Sequence, residues 1–536
     1  MRIFISGIWF LAAIVCGYAD NYPRQPGVDI VHYDIALALT DTSDSIAGST
    51  RIHVRMQNDG VSGMRLDFAG MQVDSLQVQG VPRSFSLRDG SLSFDFGRKF
   101  ARGEVAIVAV GYHGKPEQGL TIGKNKYGQR VFFVENWPDY AHYWFPSIDH
   151  PSDKATVQVT VTAPQKYDVV SNGALVQTSL LPGGRKRTRW IEHKPIPTYC
   201  MVIAAAEFSI ARGPRVNGVP LIGYSYPEDS GAAARRFSQT SSAVKFFSSL
   251  IGPYPYEKLA QVQATISFGG MENSSVIFYQ ESLFQETPTS EFPLPHEIAH
   301  QWFGDSVTES DWDQLWLSEG FATYFEALFY EHRDGPGSLK QIMADHAKNL
   351  ILSKLAHSPP VIDPAQTDLM QKLNPATYQK GAWILHMLRR MLGDASFFRG
   401  IRRYYSLYAG GNADSADFQR AMEAVSGISL DVFFKQWLTQ PGWPDYSLSW
   451  HWDPQAGAAE VTVRQQQATG LFDITADVAF EMESGKEVHT LRLTGAEQTH
   501  RIPLPSKPLS IELDPGGWLL KSVQHKNATN FTSFHK

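Results

Sequence analysis

The spacing of apolar residues changes twice along this chain, and that change constrains the fold more than any other feature. From Asp29 to about Phe208 apolar and polar residues alternate, as in "IVHYDIALAL". From about Pro227 to Trp437 the spacing is mostly helical, and beyond Gly442 the alternation returns. Alternation is the period of a strand, whereas spacings of three and four are those of a helix. The pattern predicts a multidomain α+β fold.

Three folded domains are expected, because 536 residues exceed what one ordinary core accommodates. We expect an N-terminal antiparallel β domain, a mainly α catalytic domain and a small C-terminal β-sandwich domain. The first strand should place Val31, Tyr33, Ile35, Leu37 and Leu39 on one face. The predicted segments are a signal peptide at 1–19, the β domain at 20–208, the central domain at 209–443, the β-sandwich at 444–523 and a flexible tail at 524–536.

The first residues have the features of a secretory signal. Arg2 precedes an apolar run from Ile3 to Val15, and the small residues Gly17 and Ala19 fit a cleavage site after Ala19. We therefore expect a secreted or periplasmic protein. No later stretch of the sequence is long and apolar enough to span a membrane. The formal charge of −6, without a basic tract, argues against nucleic acid as a partner.

The sequence "HEIAHQWF" contains two histidines four residues apart, His296 and His300, with Glu297 between them. Residues four apart share one helical face, so both imidazoles could reach one metal ion. Zinc is the metal that this pattern favours, and Glu297 would then be the general base that takes a proton from water. The same five-residue pattern also arises by chance, so alone it is only suggestive.

A catalytic zinc requires a third protein ligand. Glu319 lies near the start of the next predicted helix, on the same face as Thr323 and Glu326. It could be a solvated first-turn glutamate, which the helix dipole favours. Its apolar neighbours instead suggest burial, and a buried carboxylate requires a partner such as zinc. Glu326 is either a hydrogen-bond partner of a zinc-bound histidine or a surface residue.

Four motifs together carry a family resemblance. HExxH is followed by 18 residues and Glu319, and "GGMEN" precedes it. "TYQKGAWILHML" follows it, and "FPSIDHPSDKA" lies in the predicted β domain. These motifs resemble, in order, those of the zinc aminopeptidase N family, which includes leukotriene hydrolase. The resemblance implies a thermolysin-like catalytic domain, one Zn²⁺ per chain and peptide substrates with a free N-terminus.

The resemblance also implies roles for individual residues. Glu272 would bind the α-amine of the substrate, and Met271 would line the pocket for the first side chain. The backbone of Gly269 and Gly270 would run along the substrate like an edge strand, because glycine permits close approach. Tyr378 would donate a hydrogen bond to the oxyanion that forms after water attack.

The sequence departs from the family pattern at the amine site. Many members place Gln or Glu twelve residues before the aspartate of the FPxxD signature, where this chain has Trp137. Glu135 and Asn136 lie next to it and are candidates to replace the missing polar group. Asp305 and Ser318 also replace the asparagines that are common at their positions, and there we expect only tuning.

Three functional hypotheses follow. The first is a secreted zinc aminopeptidase that uses an activated water. The second keeps the zinc centre but acts as an endopeptidase or an epoxide hydrolase. The third is a non-catalytic binding protein on the same scaffold, which the presence of every expected ligand and of the base disfavours.

Overall fold

The computed structural model describes residues 20–285, 292–353 and 359–525. The predicted signal peptide and the tail beyond residue 525 lie outside the described residues. Within those ranges, no helix has the length and apolar character needed to cross a bilayer.

Between residue 20 and the central domain the structure has fifteen strands. They are β1 Val28–Ala38, β2 Ile46–Met56, β3 Val61–Asp67, β4 Gln72–Val78, β5 Val81–Pro82, β6 Phe85–Arg88, β7 Ser91–Phe100, β8 Val105–Gly114, β9 Leu120–Lys124, β10 Arg130–Val134, β11 Lys154–Pro164, β12 Asp168–Ser171, β13 Ala174–Leu181, β14 Arg185–Pro197 and β15 Ile203–Ala206. They form an eight-stranded sheet (β13-β14-β11-β1-β2-β8-β4-β5), a four-stranded sheet (β12-β15-β10-β9) and a three-stranded sheet (β3-β7-β6).

Two details of the large sheet differ from the sequence prediction. β1 pairs in parallel with β11, although its pairing with β2 is antiparallel. A register shift between Ile30 and His32 moves Ile30 onto the buried face and leaves Val31 partly exposed. The predicted inward position of Val31 is therefore wrong, because a bulge changes the side on which a strand's residues point.

The central domain combines a mixed five-stranded sheet and a two-stranded sheet with nine α-helices in its described part. Its elements are β16 Ser209–Val216, β17 Val219–Ser225, α1 Ser230–Arg236, α2 Thr240–Leu250, β18 Leu259–Ala264, β19 Gly270–Met271, β20 Val276–Gln280, α3 Leu294–His300, β21 Thr308–Glu309, α4 Trp316–Asp334, α5 Pro336–Leu352, α6 Leu369–Lys372, α7 Gly381–Tyr408, β22 Asn412–Ala413, α8 Ser415–Ser426 and α9 Asp431–Thr439. The sheet order is β16-β17-β18-β20-β19, which leaves β19 at an edge.

Two glycines bring α4 and α7 into close contact. A Cβ added at Gly320 would lie 2.8 Å from the Cα of Gly381. The π-helical turn Ala376–Lys380 leads directly into α7 and lies against α4. This crossing fixes Tyr378, in the π turn, relative to Glu319, the neighbour of Gly320.

The C-terminal part contains seven strands in two sheets. They are β23 Asp445–Asp453, β24 Ala458–Gln465, β25 Ile474–Met482, β26 Gly485–Leu493, β27 Glu497–Pro503, β28 Ser510–Leu513 and β29 Ser522–His525. The sheet orders are β27-β24-β23-β29 and β26-β25-β28. β29 pairs with β23 as far as His525, so residues 524 and 525 belong to this sheet and not to the predicted tail. With these sheets the predicted α+β fold class is confirmed.

A partly buried lysine joins the N-terminal and central domains. The ammonium of Lys154, at the start of β11, donates hydrogen bonds to the carbonyls of Asp305 (2.9 Å), Ser306 (2.9 Å) and Gly411 (3.1 Å). These carbonyls follow the HExxH helix or lie just before β22. The contact therefore holds the β domain against the back of the candidate site.

Candidate active site

The three predicted metal ligands converge in the structure. His296 Nε2 lies 3.1 Å from His300 Nε2, and each of these atoms lies 3.3 Å from Glu319 Oε2. α3 supplies both histidines from one face, and Glu319 comes from the first turn of α4. Two ligand atoms about 2.0–2.1 Å from a tetrahedral zinc are roughly 3.3 Å apart. The spacing and the donor set therefore fit one zinc ion.

His300 is held in the tautomer that a metal requires. Its Nδ1 lies 3.1 Å from the Phe303 carbonyl oxygen, which can only accept a hydrogen bond. The proton is therefore on Nδ1, and the Nε2 lone pair faces His296 and Glu319. Ser318 Oγ lies 3.0 Å from the same Nδ1. Such outer contacts orient a ligand and tune its affinity for the metal.

A carboxylate lies near Nδ1 of His296, the ring nitrogen that does not face the other candidate ligands. This Nδ1 lies 3.7 Å from Glu326 Oε2, and Glu326 is only 24% exposed. The structure therefore places Glu326 beside a candidate ligand, which favours its role as a partner of His296 over the surface interpretation.

The carboxyl groups around the ligands have displaced pKa values. Burial acts to raise the pKa of Glu319, but the charge and hydrogen bonds of the two imidazoles outweigh it, and the pKa lies well below its usual range. Burial raises the pKa of Glu297 to about 8, against the effect of the same imidazoles, and also raises that of Glu272. A pKa near neutrality suits a group that takes up and returns a proton.

Glu297 lies directly against the edge strand. A Cβ built on Gly270 would lie 2.1 Å from Glu297 Oε1, so only glycine fits there without a shift. The equivalent position on Gly269 has no atom within 4 Å. The second glycine of "GGMEN", Gly270, is therefore required for steric reasons, whereas the first, Gly269, is not.

Tyr378 contacts two of the three candidate metal ligands. Its hydroxyl donates a 2.7 Å hydrogen bond to Glu319 Oε1, while Oε2 of the same carboxylate faces the histidines. Its ring stacks on His296 at 6.1 Å between centroids. The hydroxyl thus lies next to the candidate metal position.

One cavity brings the predicted residues together. It has a volume of about 190 Å³ and is lined by Trp137, Phe268, Gly269, Gly270, Met271, Glu272, His296, Glu297, His300, Glu319, Leu373 and Tyr378. Trp137 is a wall of this cavity, and its ring packs edge-on against Phe268 at 6.1 Å.

The neighbours of Trp137 do not replace the polar group expected at its position. The Glu135 carboxylate accepts hydrogen bonds from the backbone nitrogens of Ser267 (2.9 Å) and Phe268 (3.0 Å). The Asn136 amide donates to the carbonyls of Met201 (2.7 Å) and Thr198 (3.2 Å). Glu135 therefore stabilises the loop before Gly269, and Asn136 forms hydrogen bonds within the β domain.

Gln301 has a structural role that sequence reasoning missed. Its Nε2 donates to the Glu272 carbonyl (2.6 Å) and to Asp305 Oδ2 (2.8 Å). Its Oε1 accepts from Tyr254 Oη (2.9 Å) and the backbone nitrogen of Ser275 (2.8 Å). The side chain thereby ties the segment that carries Glu272 to the end of α3. The sequence feature that could have identified Gln301 is its position directly after His300.

A HExxH helix whose third ligand is a glutamate of the next helix defines the gluzincin class of metal centre. Two family models match the chain: the peptidase family M1 N-terminal domain over residues 30–200 and the peptidase family M1 domain over residues 236–437. Together they cover more than two thirds of the sequence. The chain belongs to peptidase family M1.

Individual relatives agree with this assignment. Aminopeptidase A of Gloydius brevicauda is 26% identical over 465 residues, which cover 80% of this chain and 48% of the relative. Human glutamyl aminopeptidase is 27% identical over 339 residues, which cover 60% of this chain and 35% of the relative. The chain thus spans about half or less of the length of these relatives.

Solved structures resemble the chain over a larger share of their length. Two crystal structures of an M1 zinc metallopeptidase from Deinococcus radiodurans, one of them a mutant, align with a TM-score of 0.69. They are 24% and 25% identical, and each alignment covers 79% of this chain and 96% or 97% of theirs. The zinc cofactor predicted from the donor set agrees with this family.

Proposed function

We propose that the chain is an exported zinc aminopeptidase that removes N-terminal residues from peptides. The observation that carries this proposal is the meeting of His296, His300 and Glu319 beside Glu297 and an open edge strand. His296, His300 and Glu319 would hold the ion. When bound, zinc supplies a Lewis acid that acidifies water and polarises the scissile carbonyl.

The other groups that line the cavity have separate roles in the proposed reaction. A Glu297 carboxylate oxygen takes the proton of the attacking water and returns it to the leaving amine. The Tyr378 hydroxyl donates to the oxygen on which negative charge develops. β19 offers unpaired backbone groups to the substrate, and the Glu272 carboxylate attracts its α-ammonium.

Export is part of the proposal and is supported by the leader sequence. The positive Arg2, the apolar run and the small residues Gly17 and Ala19 are the features that a signal peptidase requires. Secretion into the medium and retention in a periplasm are both compatible with these features.

The decisive assay compares amino-acyl anilides with their N-acetyl forms, with and without a chelator. Chelator-sensitive cleavage of only the free-amine forms supports the aminopeptidase. Equal cleavage of acetylated substrates contradicts it and supports an endopeptidase, which the apolar Trp137 at the amine site would favour. If neither form is cleaved, epoxides are the next substrates, and a purified protein without stoichiometric zinc would support the binding-protein hypothesis.

Replacing Glu297 with glutamine tests the proton transfer. Loss of the base should lower kcat by at least two powers of ten while zinc remains bound. Metal content measured on the same sample is the control, because Glu297 is not among the three converging ligands. Full activity of Glu297→Gln would refute the mechanism.

A further inference from the structure

A buried cluster of charges surrounds the backbone nitrogen of Asp20. This nitrogen donates a 3.4 Å hydrogen bond to Asp311 Oδ2. The same oxygen lies 3.1 Å from Arg24 Nη2, and Arg24 also lies 3.5 Å from the Asp20 carboxylate. His150 Nε2 lies 2.5 Å from Asp20 Oδ2. The four side chains are only 1–14% exposed.

The charges of this cluster do not balance in the uncleaved chain. The backbone nitrogen of Ser152 donates to His150 Nδ1 at 3.1 Å, so the His150 proton is on Nε2, where it is donated to Asp20. The imidazole is then neutral, and among the described residues two carboxylates face one cation, Arg24. The nearby Lys372 is paired with Asp313 and so does not neutralise either of these two carboxylates. A buried carboxylate that lacks a counter-charge is costly.

Asp20 is also the residue that follows the expected cleavage site. A leader peptidase that hydrolyses the Ala19–Asp20 bond consumes one water, leaves a carboxylate on Ala19 and leaves an α-ammonium on Asp20. The neutral amide nitrogen beside Asp311 then becomes a cation with three N–H donors. That cation is the missing counter-charge at the position where the structure already directs a donor.

We propose that leader removal after Ala19 is a maturation step, in which the new α-ammonium of Asp20 binds Asp311 and completes this buried cluster. The inference rests on the export part of the proposed function but not on its peptidase chemistry. Asp311 thus provides a binding site for the chain's own N-terminus, formed between the start of the β domain and the segment that precedes α4.

The cluster lies behind the active-site wall. Trp312 follows Asp311 and is 3% exposed. Its ring packs against Trp137 at 5.7 Å and against His150 at 6.3 Å between centroids. Asp311 Oδ1 accepts a 2.9 Å hydrogen bond from the backbone nitrogen of Asp313. Pairing at the N-terminus therefore stabilises the turn that positions Trp312 and, through it, Trp137.

The first test establishes the N-terminus. Mass spectrometry of the exported protein should find chains that begin at Asp20. Chains that begin elsewhere would overturn the proposal, whatever the protein's activity on peptides.

The second test distinguishes the contribution of the α-ammonium to stability from that of the other groups in the N-terminal segment. Four proteins are compared by thermal unfolding: a chain that begins at Asp20, the same chain with Gly-Ser added before Asp20, and both forms with Asp311→Asn. The extension keeps the net charge but moves the ammonium away. It should lower Tm by roughly 1 °C in the Asp311 background, because the unfolding entropy of a chain of this length is large, and by clearly less in the Asn background.

Asp74→Asn is the matched control, because Asp74 is an exposed partner of His113 on the β domain. The Gly-Ser extension should lower Tm by the same amount in this variant as in the wild type. An extension effect that is equal with Asp311 and with Asn would overturn the proposal.

A measurement on the wild type covers the case in which Asp311→Asn does not fold. The Asp20 amine should react more slowly with an amine-directed reagent in the native protein than in the denatured protein. Equal reactivity in both states would overturn the proposal as well.

Discussion

At the scale of single residues, Trp137 gives the cavity an apolar wall where many relatives have a polar side chain. It is 4% exposed and shares the cavity with Phe268, Met271 and Glu272. We expect this apolar wall to favour substrates whose first side chain is apolar, because burial of each additional methylene group is favourable.

The first prediction concerns this preference. Trp137→Gln should reduce the ratio of kcat/KM for leucyl over lysyl anilide by about tenfold, since apolar contacts of this size are worth roughly 1–3 kcal/mol. Steady-state kinetics on both substrates measure the ratio. An unchanged ratio would show that the indole does not contact the first side chain.

The residues at the metal were predictable from the sequence, whereas their supporting contacts were not. His296 and His300 are set by helix spacing, which is a local property of the sequence. Glu319 was identified by its place on the next predicted helix and by the family motif. The hydrogen bonds of Ser318 and Gln301 depend on how α3, α4 and the loop after β19 pack together. A local pattern can mark such a residue, as the position of Gln301 directly after His300 does, but it does not show which groups the side chain contacts.

At the scale of elements, β19 and α3 meet without space for a side chain. Glu297 occupies the volume that a side chain at residue 270 would need, whereas residue 269 faces open space. Neither glycine has a positive φ, so the requirement is steric and not conformational.

The second prediction uses these two glycines as a matched pair. Gly270→Ala should displace Glu297 and lower kcat by roughly a hundredfold, because small misplacements of a catalytic group are costly. Gly269→Ala should remain close to wild type. Kinetics and thermal unfolding of both variants provide the comparison, and equal activity losses would contradict the steric explanation.

Element types were also predicted more easily than their pairing. "GPG" at 335–337 separates α4 from α5, as its turn residues indicate. The parallel pairing of β1 with β11 was not predicted, because the two strands are separated by most of the β domain. Each strand alternates in the same way whichever direction its neighbour runs.

At the scale of the whole molecule, several buried ionisable groups lie between the domains. Glu309 in β21 is 1% exposed, and neither of its carboxylate oxygens has a hydrogen-bond partner among the described residues. Burial raises the pKa of Glu309 from its usual 4.5 to about 8. The folded protein therefore keeps a proton that the unfolded chain releases.

The third prediction follows from the sign of this shift. Between about pH 4.5 and 8 the native state binds the extra proton, so the free energy of unfolding falls as the pH rises, by up to about 1.4 kcal/mol per pH unit. Glu309→Gln should remove this part of the decline and be the more stable protein at pH 8.5. Urea unfolding at pH 5.5 and 8.5 measures the difference.

Glu512→Gln is the control for this measurement, because Glu512 is exposed on β28. Its stability relative to wild type should hardly change with pH. If the difference between Glu309→Gln and the wild type were also constant across this range, Glu309 would not carry the predicted proton.

The two-residue length of β19 has a consequence for substrate size. An edge of Gly270 and Met271 can pair with only the first one or two residues of an extended peptide. Residues further along gain no backbone pairing from this strand. We therefore expect kcat/KM to rise from an amino-acyl anilide to a tripeptide and then to level off, so that the enzyme would process peptides of very different lengths at similar rates.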